Sequence, residues 1–221
     1  TNRADIAALN TFGYILANKK YGTEAAITVE RFGHITYKGQ IITRKDSTVK
    51  SLKDIKGRKI AYVDPSSTSG YLLPATLLKK NKVKPSDKVF AQRHDNVVTM
   101  VYQKQVDVGA TFYSPEEEGK IQDARRLVKT QFPDVEDKVK ILHLTDPIPN
   151  DPIVFRKGLS AKAKKEIKDA LLAYIKTKEG KDVFYSLYGA TGFQSATDKD
   201  YDGVRDILSA LGKSATDLIK K

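Results

Sequence analysis

The segment VDPSSTSGYLLPATLLKK, residues 63–80, joins two sequence patterns of different period. Residues 59–63, which lead into it, form a short apolar run typical of a buried strand. From residue 68 onward, leucines recur at the spacing of one helix face. A strand that passes directly into a helix is the repeating unit of α/β proteins, so this junction predicts the fold class.

The same alternation continues on both sides of the junction. Strands are predicted at residues 4–9, 25–31, 35–44, 59–63, 89–92, 106–112, 141–144 and 152–156. Helices are predicted at residues 12–19, 52–55, 68–80, 94–104, 115–129, from a cap at Ser160 onward, 181–188 and 201–211. The pattern therefore predicts an α/β fold with mostly parallel sheets flanked by helices. The first strand, ADIAAL, reads as fully buried, from which we expect preceding strands to be missing from this chain.

Composition limits the functions that this chain can have. The 221 residues carry a net charge of +12, with 39 Lys and Arg against 27 Asp and Glu. The lysines are spread along the chain and accompany no nucleic-acid motif, so they indicate a solvated surface rather than a DNA or RNA interface. Cysteine is absent, which excludes disulfides, thiolate nucleophiles and cysteine-based zinc sites. Three histidines at these spacings predict no metal site, and no cofactor is expected.

The hydroxyl cluster Ser66, Ser67, Thr68 and Ser69 can be interpreted in two ways. In the first, one serine, Ser66 or Ser67, caps the helix and contributes about 1 kcal/mol. Alternatively, the hydroxyls and the first amides of the helix form a cradle for a tetrahedral oxyanion, with Gly70 letting the ligand approach the backbone. The pattern GxxxxGK[ST] is absent, which argues against a nucleotide P-loop.

His94 occupies the same kind of position, after a strand and at a helix start, either as a site residue or as a partner of Asp95. Asp151 precedes a proline, which forces extended backbone at this position. It is either part of a rigid crossover or an acceptor for a protonated ligand oxygen. Tyr14 and Tyr113 follow strand ends, where they either pack or line a ligand crevice.

Several of these segments together resemble one family. VDPSSTSGYLLP, HDNVV, QVDVGAT and DPIPNDPIVFRKGLS occur in this order in the phosphate/phosphonate-binding proteins of ABC transporters, and SLKDIKGRKIAYVDP and ADIAALNTFGYILA also fit. The resemblance covers nearly the whole chain. It implies a two-lobed venus-flytrap fold, the type II periplasmic binding protein, in which the ligand is enclosed between the lobes. Lobe 1 would comprise residues 1–44 and 147–221, and lobe 2 residues 45–146.

The resemblance also implies site residues and partners. The ligand would be phosphonate, phosphite or phosphate, held by Ser67, Thr68, Ser69, His94, Asp151, Tyr14 and Tyr113. An acidic residue is expected near position 113 in family members that bind aminoalkylphosphonates, so Tyr113 argues against such a ligand, although Glu116 could still contribute. The protein is expected to be a monomer that delivers its ligand to a membrane permease, either in the periplasm or as a membrane-anchored extracellular lipoprotein. From the resemblance we also expect that the family's N-terminal strand–helix–strand segment is missing from this chain.

Two alternative functions would use the same fold, an enzyme and a sensor module. The enzyme is disfavoured because no nucleophile with an adjacent base is evident. A sensor module would require an attached transmembrane or kinase segment.

Overall fold

A computed structural model describes residues 4–209, and these divide into two compact units. Unit 1 comprises residues 4–36 and 149–205, and unit 2 comprises residues 37–148 and 206–209. No helix within the described part of the chain has both the length and the apolar character needed to cross a bilayer.

The described residues form nine strands and seven α-helices. The strands are β1 (Ile6–Ala8), β2 (Glu24–Glu30), β3 (Thr36–Arg44), β4 (Lys59–Tyr62), β5 (Asp87–Phe90), β6 (Val108–Tyr113), β7 (Val139–Pro149), β8 (Pro152–Phe155) and β9 (Gly192–Ser195). The helices are α1 (Thr11–Tyr21), α2 (Leu73–Lys80), α3 (His94–Tyr102), α4 (Val135–Lys138), α5 (Ala161–Tyr174), α6 (Lys178–Tyr188) and α7 (Asp202–Ser209). Short 3₁₀ turns occur at Leu52–Ile55, Ala124–Val128 and Asp198–Tyr201, and a π-helical turn at Thr68–Leu72 leads into α2.

Unit 1 contains a four-stranded sheet in the order β1-β8-β2-β9, with every neighbouring pair antiparallel. Its core forms where apolar side chains of β2 and β8 pack against α5. The main members are Ile27, Ile153 and Phe155, with Leu171 and Leu172 from the helix. Ser160 caps α5 through a bond from the Ala163 amide, as the sequence predicts.

Unit 2 contains a five-stranded sheet in the order β5-β4-β6-β3-β7. Strand β4 is parallel to both of its neighbours, β5 and β6, whereas β3 is antiparallel to the central strand β6. One core cluster contains valines of α3, and a second contains Leu78 of α2 together with Ile60 of β4. The predicted parallel pairing therefore holds for β5-β4-β6, while the sheet of unit 1 is antiparallel. The sequence pattern missed this because strand direction depends on distant partners.

Two further predictions about individual elements are wrong. The first strand is not fully buried: β1 lies at a sheet edge beside β8, and Ile6 is 40% exposed. Residues 115–129 do not form one helix. Glu118 and Gly119 adopt positive φ angles of 49° and 71° in a tight turn that pairs Glu117 with Lys120, so only Ala124–Val128 is helical. The end of the predicted helix at 201–211 lies outside the described residues, and β9 was not predicted.

The unit boundaries also differ from the predicted lobes. β3, which we placed in lobe 1, pairs along residues 38–43 with β6 of unit 2. Unit 2 therefore begins at Tyr37 rather than at residue 45, and ends its long segment at Ile148 rather than at residue 146.

The junction between β4 and α2 is fixed by Gly70. The Val63 amide at the end of the strand donates to the Gly70 carbonyl at 3.1 Å. A Cβ atom built on Gly70 would overlap the side chain of Val63 and come within 2.8 Å of Ser67 Oγ. Gly70 is therefore needed for close packing of the helix start onto the strand.

This packing predicts that Gly70→Ala lowers the free energy of unfolding by about 1–3 kcal/mol, the usual cost of overpacking. The matched control is Gly203→Ala on α7, where a Cβ meets no atom within 4 Å. That substitution should be neutral or stabilise by about 0.5–1 kcal/mol. Urea denaturation of both variants tests the expectation, and equal stabilities for the two would contradict it.

Candidate functional site

The four hydroxyl residues after β4 have different roles. Ser67 caps the helix, since its Oγ accepts from the Gly70 amide at 3.0 Å. Ser66 is exposed and bonds back to Asp64 through both its amide, at 2.8 Å, and its hydroxyl, at 2.5 Å. Thr68 and Ser69 are buried, each with 3% exposure. The cap interpretation therefore accounts for Ser67 alone.

Thr68 is the distinctive member of the cluster. Its Oγ1 is fully buried and has no hydrogen-bond partner among residues 4–209. A buried hydroxyl without a partner costs roughly 1–3 kcal/mol. Such an atom at a helix start is suited to a ligand that supplies the missing partner.

The first turn of this helix is unusually wide. The Leu72 amide donates to Ser67 O at 3.0 Å, and the Leu73 amide donates to Thr68 O, so both bonds span five residues. π-helical turns of this kind are rare and occur often at functional sites. As at any helix start, the first amides have no carbonyl one turn earlier within the helix, and they carry the positive end of the helix dipole.

His94 is the first residue of α3, and its ring packs edge-on against Phe112 of β6 with centroids 4.9 Å apart. Its Nδ1 is buried and, like Thr68 Oγ1, has no partner among the described residues. Burial lowers the pKa of the imidazole to about 4, although Asp64 and Asp95 act in the opposite direction. His94 is therefore neutral at physiological pH, and the pairing with Asp95 that we considered is not formed, because Asp95 pairs with Arg93 at 3.0 Å.

The two helix starts lie at the same edge of the sheet of unit 2. β4 and β5 are parallel neighbours, and the Gln92 amide after β5 donates to Val63 O after β4 at 2.8 Å. Phe112, near the end of β6, brings a third strand end to His94. Thr68 and His94 thus both lie at the carboxyl ends of parallel strands of unit 2, the edge of the sheet where ligands of α/β proteins bind.

Tyr113 ends β6 at the same edge, half-buried and opposite Lys38 of β3. Glu116 is exposed on the loop that follows. No group of three or more His, Asp or Glu side chains within the described residues is arranged to hold a metal ion.

Tyr14 is fully buried inside unit 1. Its hydroxyl donates to Asp198 at 2.5 Å and accepts from the Ala25 amide at 3.3 Å, and its ring packs edge-on against Tyr201. Burial, followed by the hydrogen bond to Asp198, raises the pKa of Tyr14 to about 12. These contacts match the packing alternative for Tyr14.

Asp151 is also in unit 1, half-buried after the crossover strand. Its carboxylate accepts from Arg31 Nη2 at 3.0 Å. Sequence reasoning missed Arg31, because its partner lies 120 residues away. The only local signal was a cation directly before the Phe32-Gly33 turn at a strand end.

Comparison with known proteins identifies the family of the chain. The family model described as "ABC transporter, phosphonate, periplasmic substrate-binding protein" matches residues 1–201. The phosphonates-binding periplasmic protein of Escherichia coli (strain K12) is 31% identical over 214 residues, which cover 93% of this chain and 60% of that protein. The chain thus spans less than two thirds of the length of this relative.

Two other relatives extend the comparison. The phosphate-import protein PhnD of Mycolicibacterium smegmatis is 26% identical over 230 residues. The match covers 94% of this chain and 69% of that protein. A crystal structure of a binding protein component of a phosphonate ABC transporter from Pseudomonas aeruginosa superimposes with a TM-score of 0.73 at 26% identity, covering 93% of this chain and 68% of that chain. The predicted α/β fold of the type II periplasmic binding proteins is thereby confirmed.

The buried neutral His94 makes a prediction about pH. The folded protein resists protonation of His94 down to about pH 4, whereas the unfolded chain takes up this proton near its ordinary pKa of 6.5. The contribution of His94 to stability is therefore present above about pH 6.5 and is lost as the pH falls toward 4, by up to about 3 kcal/mol.

Urea denaturation between pH 7 and pH 4 tests this expectation, with His94→Gln as the comparison. Carboxylates contribute to both proteins, so the difference between the two curves isolates the histidine. Parallel stability curves would show that His94 is not buried in its neutral form.

Proposed function

The chain belongs to the phosphonate-binding family of periplasmic substrate-binding proteins of ABC transporters, and we propose that it captures a small phosphorus oxyanion for delivery to a membrane permease. The ligand is a phosphonate, phosphite or phosphate. The helix starts of unit 2 supply the main contacts, through Ser67, Thr68, Ser69 and His94.

One observation carries this proposal: Thr68 Oγ1 and His94 Nδ1 are buried at the same sheet edge without partners among the described residues. Native proteins satisfy nearly all their buried polar atoms, so two orphans at adjacent helix starts favour a ligand that completes them. A helix start also presents its first amides and the positive end of the helix dipole, which favour an anionic ligand.

The chemistry of these groups favours an oxyanion. Hydroxyl and amide donors match the acceptor oxygens of a tetrahedral phosphorus centre, and the helix dipole favours negative charge. His94 is neutral, so its unpartnered nitrogen can either accept from a P–OH group or, in the other tautomer, donate to an oxygen. The site therefore selects its ligand by shape and hydrogen bonding rather than by a lysine or arginine of unit 2.

The remaining contacts are assigned by the same reasoning. Tyr113, at the end of β6, would face the substituent on phosphorus, which favours hydrogen, hydroxyl or a small apolar group over an aminoalkyl chain. Asp151 of unit 1 would also contact the ligand. The names of the relatives, one for phosphonates and one for phosphate import, support the same ligand class.

We further propose that the protein binds without turnover, acts as a monomer, and works outside the cytoplasmic membrane, in the periplasm or as a lipid-anchored protein.

A ligand screen tests the proposal. Isothermal calorimetry and thermal unfolding with phosphate, phosphite, methylphosphonate and aminoethylphosphonate should identify at least one tight ligand, with stabilisation that rises with its concentration. Sulfate serves as the tetrahedral control without phosphorus. Recovery of the ligand unchanged would support binding without turnover. Absence of binding to all four phosphorus compounds would refute the proposed function.

Thr68→Val provides the sharpest single variant. It keeps the shape of the side chain and removes the unpartnered hydroxyl, so the unliganded protein should be as stable as wild type or more stable. Affinity for the oxyanion should fall by about 1–3 kcal/mol, or roughly 5- to 150-fold. Calorimetry together with denaturation of the free protein separates the two effects.

Ser66→Ala is the matched control, because Ser66 belongs to the same cluster but is exposed and bonds to Asp64. Its affinity should stay within about threefold of wild type. If Thr68→Val bound as tightly as Ser66→Ala, Thr68 would not contact the ligand.

A further inference from the structure

Arg31 is held in a fixed position at the end of β2. Its amide donates to His34 O at 2.9 Å, and the His34 amide donates back to Arg31 O at 3.0 Å. Phe32 and Gly33 close this two-residue turn with φ angles of 50° and 78°. The backbone of Arg31 is therefore constrained by a tight hairpin.

The guanidinium is anchored independently of Asp151. Nε and Nη2 donate to the carbonyl of Tyr188 at 3.3 and 3.2 Å. Tyr188 is the last residue of α6, where the helix dipole attracts a cation. The Arg31 side chain would thus stay in place if Asp151 were neutralised.

The backbone of Asp151 is equally constrained. Its carbonyl accepts from the Val29 amide at 3.2 Å. The preceding residue, Asn150, is buried and donates through Nδ2 to Val29 O and His34 O, each at 2.9 Å. The carboxylate is therefore presented to Arg31 by two fixed segments of unit 1.

The pair remains open to a ligand. The Arg31 and Asp151 side chains are 25% and 35% exposed. Arg31 Nη1 makes no hydrogen bond to an acceptor in residues 4–209, so two donors remain beside the carboxylate.

The other charged groups near this pair have their own partners. Glu30, the neighbour of Arg31, accepts from Gln194 Nε2 at 2.6 Å. Asp200, which together with Asp151 acts on the pKa of the buried Tyr201, accepts from the amide and hydroxyl of Thr197. Arg31 is therefore the group that balances the charge of Asp151.

We propose that Arg31 determines the charge of the ligand accepted at Asp151, and that the pair selects fully deprotonated oxyanions. An isolated carboxylate requires a proton on the ligand oxygen that faces it, and repels a dianion. Paired with Arg31 it carries no net charge, and the free Nη1 donors can bind an ionised oxygen instead. The sequence predicted that Asp151 favours protonated ligands, and pairing with Arg31 reverses that selectivity. This inference rests on the proposed function.

The test compares two ligands of different charge at about pH 8, above the second ionisation of such acids (about 6 for a phosphate ester). Phosphite then carries two charges and hypophosphite one. Wild type should prefer phosphite. Arg31→Gln should lose about tenfold in phosphite affinity, equivalent to 1.4 kcal/mol, with less than about threefold loss for hypophosphite.

Two further variants separate charge balance from a structural role. Adding Asp151→Asn to Arg31→Gln should restore part of the binding of phosphite, because it removes the uncompensated carboxylate although the Nη1 donors stay absent. A purely structural loss, through the Tyr188 contact, would not be restored. Arg31→Lys keeps the charge and should keep the preference for phosphite. Arg156→Gln is the control, since Arg156 forms a comparable exposed pair with Asp5 at 2.8 Å.

The outcomes are distinguishable by calorimetry. An unchanged ratio of phosphite to hypophosphite affinity in Arg31→Gln, or failure of the double variant to recover, would overturn the role of Arg31 alone. If wild type bound no phosphorus oxyanion at all, the proposed function itself would fail.

Discussion

The structure of the candidate site depends on one contact, the packing of Gly70 against Val63 with the bond from the Val63 amide to the Gly70 carbonyl. This contact ties the start of the helix to the end of β4. Ser69 lies in the same turn, and its carbonyl is packed so closely against β3 that a Cβ on Gly39 would come within 2.8 Å of it. Because the turn is held on both sides, Thr68 stays buried with its hydroxyl unpartnered instead of relaxing toward solvent.

The candidate ligand groups of the two units differ in kind. Unit 2 offers hydroxyls, amides and a neutral imidazole, which hydrogen-bond an oxyanion without fixing its protonation state. Unit 1 offers the Arg31–Asp151 pair, in which charges are balanced and sensitive to the charge of the ligand. This division follows from the local setting. Burial at a helix start disfavours any ionised side chain, whereas a half-exposed strand end tolerates an ion pair.

Much of the fold could be predicted from local pattern. The helix starts at Ser67 and Ser160 were recognised because a cap is formed by residues three positions apart. The failures involved distant partners. Strand direction in unit 1, the edge position of β1 and the membership of β3 in unit 2 all depend on pairings with segments far along the chain. The prediction of a helix at residues 115–129 failed for a local reason, since the turn at Glu118 and Gly119 interrupts this charged stretch in spite of its helix-favouring composition.

The sequence by itself determined the junction of strand and helix, the hydroxyl cluster and the helix-start histidine, since these features involve neighbouring residues and the geometry of a helix terminus. Only the tertiary structure decided which candidate side chains remain available. Tyr14 is occupied by Asp198, 184 residues away, whereas the charge of Asp151 is balanced by Arg31, 120 residues away, in a pair that stays partly exposed. Such pairings are set by how the sheet brings remote segments together, and no local pattern encodes them.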